Sequence, residues 1–273
     1  LNATNVEDLG AILQSILQAE KTVLYYGPKS PDEVIDSISQ GFIGNTKEIK
    51  KPEPYKVLHS RKAKENQIYF FEKEMAQAQV RLEFPVGIFD ENKMPAAQLF
   101  NEYFGGGMAG LVFQELREAR ALAYSAWAHY FSPTRPEEEN LLVGSIGCQA
   151  DKTIEAVLAF MDLLENMPIN QTRWDSAHSS MLSSYRTNPI PYRGIAGFVY
   201  DVLALGLSGD PRKARFKIVE EAKIETLEEF YKNSIKPKAK LISIVGDSNK
   251  IDIEELEKIG PVTRIQKEQL FNR

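Results

Sequence analysis

Apolar and polar residues alternate through residues 77–84, where Ala78, Val80, Leu82 and Phe84 are interleaved with Gln77, Gln79, Arg81 and Glu83. A second alternation sets Tyr124, Ala126, Ala128 and Tyr130 against Ser125, Trp127, His129 and Phe131. Successive side chains of a strand leave opposite faces, so both stretches read as half-buried strands. Residues 67–71, 141–148 and 240–245 read as further strands. Elsewhere the period lengthens to that of a helix: over 96–104, 111–117, 172–185, 192–205, 227–235 and 251–259, and after a cap at Asp151, where Ile154, Val157, Leu158 and Met161 face inward. The strand after Tyr124 returns through a Pro/Glu-rich turn at 133–140, and strands in sequence joined by short turns imply antiparallel pairing. Strands first, helices next and a last strand predict an α+β domain, with an antiparallel or mixed sheet and helices packed on one face.

The two ends of the chain share an order. Residues 6–18 read as an amphipathic helix with Leu9, Ile12, Leu13, Ile16 and Leu17 on one face. Residues 22–26 follow as a short buried strand ending at Gly27, and Ser30-Pro31-Asp32-Glu33 caps another helix. Near the other end come helix 227–235, strand 240–245, Gly246 and helix 251–259, and residues 21–27 align without gaps on 240–246. Such a repeat predicts homologous domains: residues 1–40 as the closing helix, strand and helix of a preceding one, 41–66 as a linker and 67–273 as the carboxy-terminal domain. The linker is polar and Lys-rich, with Pro52 and Pro54. Its Lys50-Lys51 and Arg61-Lys62 pairs are interleaved with Glu48, Glu53 and Glu65, so a solvated segment fits better than a basic binding patch.

Composition narrows the function classes. An apolar fraction of 43% in 273 residues suffices for a sizeable core. Net charge is −5 with both signs scattered, which argues against a nucleic-acid or anionic-membrane partner. The single cysteine, Cys148, lies in an apolar strand-like run and reads as a small hydrophobe, not a nucleophile. No apolar run is long enough to span a bilayer. The chain opens on Leu1 without a signal-peptide pattern, which predicts a mature product or expressed fragment and leaves the parent's compartment open between bacterial cytoplasm and periplasm.

The candidate chemistry centres on residues 104–131. Gly105, Gly106 and Gly107 interrupt two helical patterns, because consecutive glycines are costly inside a helix. Beyond them the helix predicted to end at Arg117 and the strand predicted to open at Tyr124 can bring a guanidinium and a phenol to one sheet edge, facing the glycine loop. Such an edge can hold a peptide. A phosphate loop is excluded because no Gly-Lys-Ser/Thr follows. From residue types alone, Arg117 is a helix-end cation and Tyr124 an ordinary strand aromatic. His59, His129 and His178 are dozens of residues apart and read as surface or packing residues, so no metal site is expected in this chain.

A helix ending in Phe104-Gly105-Gly106-Gly107, followed by Leu116-Arg117-Glu118-Ala119-Arg120-Ala121-Leu122-Ala123-Tyr124-Ser125, resembles the carboxy-terminal, non-metal half of the pitrilysin/insulinase zinc metallopeptidases. The resemblance runs from about residue 67 to the end; Ala121 departs from it, where that family often has Gly. It implies that Arg117 and Tyr124 reach into the active site of the other half; Gly105, Gly106 and Gly107, read from their lack of side chains, fit a mobile lip for substrate backbone better than a plain turn. It also implies a partner that carries His-x-x-Glu-His and zinc, in the same parent chain or another subunit, and a peptide substrate. This chain lacks that motif and is expected to be inactive alone. The alternative is a catalytically dead structural subunit of the same fold.

Overall fold

The computed structural model describes residues 5–41, 50–51, 55–57, 59–60, 62–236 and 238–271. Glu48, Pro52, Glu53, Pro54 and Arg61, which carry part of the linker reading, lie outside the described residues. Six strands form one mixed sheet: β1 (Gln67–Glu72), β2 (Gln77–Ile88), β3 (Ser125–Phe131), β4 (Glu139–Gln149), β5 (Leu241–Gly246) and β6 (Val262–Ile265), in the order β3-β4-β2-β5-β1-β6.

The antiparallel expectation holds where β2 meets β4 and β5 and where β3 meets β4. It fails at the first turn. β1 and β2 are not a hairpin, because β5 lies between them and β1 pairs in parallel with β5 and with β6. The nearly continuous apolar run Ile68-Tyr69-Phe70-Phe71 suits an interior parallel position, flanked on both edges, better than an outer hairpin arm.

The register lines up the core. Ile68, Ile242, Leu82, Gly144 and Ala128 form one row across five strands; Phe70, Ile244, Val80, Ile146 and Ala126 form the next. All ten are buried and face the helices. Those helices are α3 (Met94–Phe100), α4 (Leu111–Phe113), α5 (Thr153–Glu165), α6 (Gln171–Thr187), α7 (Ile195–Ala204), α8 (Arg212–Glu221) and α9 (Ile224–Phe230). The α+β architecture with helices on one face is as the sequence predicts. Two details of α5 differ. Leu158 is half exposed, while Ala156, Phe160, Leu163 and Leu164 join Val157 and Met161 inside, because the helix is apolar around most of its circumference. Asp151 makes no cap; the Thr153 hydroxyl instead donates to Ala150 O at 2.8 Å.

The amino-terminal segment contains α1 (Val6–Gln18) and α2 (Pro31–Gly41), each opened by a reciprocal capping box, Asn5 with Asp8 and Ser30 with Glu33. The apolar face of α1 is solvent-exposed, and so are Val23, Leu24, Tyr25 and Tyr26. Residues 22–26 form no strand, contrary to expectation. A strand needs a neighbour for its N–H and C=O groups, and the sheet offers this segment none. Tyr26 instead rests on Tyr192, with ring centroids 5.2 Å apart and the Tyr192 hydroxyl donating to Tyr26 O at 3.0 Å. Within the expected linker the described lysines are exposed, and Tyr55 and Ser60 touch the domain. Arg135 stacks 3.8 Å over the Tyr55 ring, the Tyr55 hydroxyl donates to Glu138, and Ser60 N–H donates to Glu139 at 2.8 Å, so this stretch is docked on the β3–β4 turn.

Candidate functional site

The corner between α4 and β3 carries the candidate chemistry. α4 widens into a π-type turn over Gln114–Ala119, so the helix runs two residues past Arg117 and places that residue in its last turn. The chain then reverses at Ala121, whose φ of 50° is left-handed. Leu122 N–H donates to Leu116 O at 2.9 Å and Ala121 N–H to Arg117 O at 3.2 Å, a glycine-type helix stop made with an alanine. Two residues later Tyr124 N–H donates to Gly147 O at 2.8 Å, just ahead of β3. Helix end and strand start are thus tied together by backbone bonds.

These ties decide where the side chains go. Ala126, Ala128 and Tyr130 are buried as the alternation predicts, but Tyr124 does not share their face: it lies before the strand and is 74% exposed. The Arg117 guanidinium sits 4.8 Å over the Phe113 ring and 5.9 Å from the centre of the Tyr124 ring. Its only ion pair among the described residues is a loose one, Nε to Glu118 at 3.7 Å. The Tyr124 phenol has no hydrogen-bond partner among them. A cation and a phenol therefore stand side by side, accessible and largely uncommitted.

Each glycine of the triplet has a local cause. The helix continues from α3 by a wider turn through Asn101–Gly105, and a Cβ on Gly105 would run into the carbonyl oxygen of Ala128 in β3. Asn101 works on the same strand, its side-chain oxygen accepting from Tyr130 N–H at 2.6 Å and its amide donating to Tyr130 O at 3.0 Å. β3 is an edge strand, and Asn101 fills the place of a missing neighbour. Nothing in the sequence singled out Asn101. The break itself falls at Gly106 and Gly107, the latter at φ 60° with open space around it. The loop is held to α4 by Gln114, whose amide donates to Met108 O at 2.6 Å.

The histidines stay apart. His129 packs edge-on to Phe131 with centroids 4.6 Å apart, and burial lowers its pKa. His178 stacks on Trp174 and bonds Val219 O at 2.6 Å through Nε2. No group of three or more His, Cys, Asp or Glu side chains among the described residues could hold a metal ion. Cys148 is buried beside Thr153, and desolvation raises its thiol pKa, which disfavours the reactive thiolate.

The left-handed Ala121 gives a direct prediction. Relief of its Cβ strain should make Ala121→Gly more stable by about 0.5–1 kcal/mol, less the added freedom of the unfolded chain. Chemical denaturation checks this; a destabilised variant would show that the turn is not strained.

Comparison with known proteins bears on the same corner. The description of the peptidase M16 inactive domain matches residues 5–181, a span that includes the glycine loop, Arg117 and Tyr124. The chain belongs to the peptidase M16 inactive-domain family. The pitrilysin/insulinase resemblance read from residues 104–125 is in accord with this. No curated protein matches the chain. Among solved structures, this M16 inactive-domain chain superposes on a peptidase M16 inactive domain from Pseudomonas fluorescens (TM-score 0.66, 16% identity, 90% of this chain and 58% of that one). A protease from Helicobacter pylori gives TM-score 0.66 and 16% identity over 90% and 59%. A chain of complex III2 from Candida albicans gives TM-score 0.55 and 16% identity over 86% and 57%. At such identities the likeness establishes the fold, and the M16 inactive-domain chain spans less than two thirds of the length of each.

Proposed function

We propose that this chain is the non-catalytic half of a zinc peptidase, closing a peptide-binding chamber over a metal site carried by another half and lending that site Arg117 and Tyr124. The observation that carries the reading is the tethered corner, where an exposed guanidinium stands 5.9 Å from the ring of an exposed phenol whose hydroxyl bonds nothing among the described residues. The phenol hydrogen suits the oxyanion that forms when a peptide carbonyl is attacked, and preorganised donors of this kind supply about a hundredfold or more in rate. Arg117 suits a substrate carbonyl held before reaction. Gly106 and Gly107 lack side chains that would keep a substrate backbone away. No group of side chains among the described residues fits a zinc ion, so on this reading the metal, which would activate water and polarise the carbonyl, belongs to the partner.

A second reading, a structural subunit without catalysis, draws support from the likeness to a chain of complex III2. The two part in one experiment. The zinc-bearing half would be sought by its His-x-x-Glu-His motif in the parent or neighbouring gene, and peptide hydrolysis measured for each half alone and for the mixture. Hydrolysis that appears only in the mixture supports the peptidase reading. A stable complex whose hydrolysis is no faster than that of the zinc half alone favours the scaffold and removes the first reading.

A further inference from the structure

Two adjoining hollows of about 310 and 790 Å³ lie at the end of the sheet remote from Tyr124. Their walls include Glu139, at the start of β4, and Lys240, just before β5, whereas Tyr124 bonds Gly147 near the far end of β4. β5 alone puts on the order of 15 Å between the two ends. Both hollows share Lys64, Lys238 and Ala239.

The lining is dominated by lysines on a chain whose net charge is −5. Three are engaged: Lys62 lies 4.0 Å from Glu139, Lys232 2.8 Å from Glu228 and Lys240 3.3 Å from Glu165. Lys64, Lys236 and Lys238 have no ion-pair partner among the described residues, against one lining carboxylate, Glu65, in the same state. A local surplus of cation is left facing the solvent.

Two chain segments bring these cations together: Lys240 N–H donates to Asn66 Oδ1 at 3.1 Å and Gln67 N–H to Lys240 O at 3.0 Å, so the stretches that carry Lys64 and Lys238, each two residues earlier, lead side by side into β1 and β5. Lys240 is buried, its ammonium also donating to Lys238 O at 3.0 Å, and stiffens the floor. No aromatic ring among the described residues lines either hollow for a nucleobase to stack on.

We propose that this trough binds an acidic polypeptide segment, with aspartate or glutamate side chains meeting Lys64 and Lys238. That the ligand is a polypeptide rests on the peptidase reading; the sign of its charge does not.

Fluorescence anisotropy with labelled decapeptides of alternating Glu and Ser, or Gln and Ser, tests it on the full chain at low salt. The acidic peptide should bind about tenfold more tightly than the neutral one and lose about that factor in Lys64→Ser/Lys238→Ser, the loss expected for two exposed ion pairs. Added salt should weaken it. Both side chains are outside the core, so an unchanged melting curve will accompany the loss. Equal binding of the two peptides, or undiminished binding by the double variant, overturns the proposal. Displacement of the acidic peptide by tripolyphosphate at far lower concentration would assign the lysines to a compact anion and overturn it too. Tyr124→Phe should bind the acidic peptide normally, so failure here is distinguishable from failure of the peptidase reading.

Discussion

Tyr124→Phe is expected to lower the turnover of the reconstituted peptidase by about a hundredfold while leaving peptide affinity nearly unchanged. The phenol hydrogen meets its strongest acceptor only when charge has developed on the carbonyl oxygen, so its loss falls on the chemical step. Phenylalanine keeps the ring and removes one exposed hydroxyl that bonds nothing among the described residues, so the fold should be unaffected. Arg117→Ala should differ, raising KM as well as lowering kcat, because on the proposed reading the guanidinium would already hold substrate in the ground state. If both residues were only structural, the outcome would be another. Loss of a helix-end charge or an exposed hydroxyl would then change stability by at most about 1 kcal/mol and leave the kinetics of folded enzyme alone. Measuring kcat, KM and Tm together separates these accounts, and near-normal turnover in folded Tyr124→Phe enzyme would remove the main support for the peptidase reading.

Gly105→Ala should destabilise the chain by about 3 kcal/mol, the upper range for forcing an extra carbon into a packed contact. The new methyl would meet the backbone of Ala128, not a side chain that can swing aside, so helix and edge strand must separate. For a protein of this size that corresponds to a fall in Tm of about 6–12 °C. Separation would also strain the Asn101 bonds that cover β3 and disturb the strand on which Tyr124 is mounted. Gly107→Ala is the internal control. There the space is open and only the left-handed φ of 60° opposes a side chain, so the loss should be near 1 kcal/mol. Equal losses at the two positions would mean that the packing of helix against β3 is looser than described.

Local patterns told much of this in advance. The alternation at Ala78, Val80, Leu82 and Phe84 and at Ala126, Ala128 and Tyr130 identified the buried face of two strands, because side-chain direction in a strand follows from backbone geometry alone. The capping residue at Ser30 and the glycine triplet likewise act on neighbours a few positions away, and that helix start and the break appear near where they indicate. The spacing of Arg117 and Tyr124 was legible for the same reason.

What required the folded chain depends on residues far apart in sequence. β5 separates β1 from β2 because two apolar strands gain more by flanking each other inside the sheet than a short turn gains by making a hairpin. Residues 22–26 have the composition of a buried strand and remain unpaired, since a strand's hydrogen bonds are completed only by a neighbour that composition cannot supply. Tyr124 points to solvent although its parity matches the core, because its N–H bond to Gly147 and the left-handed turn at Ala121 set it ahead of the strand. The nearness of its ring to the Arg117 guanidinium follows from that turn and from the pairing of β3 with β4, contacts that one-dimensional periodicity does not encode.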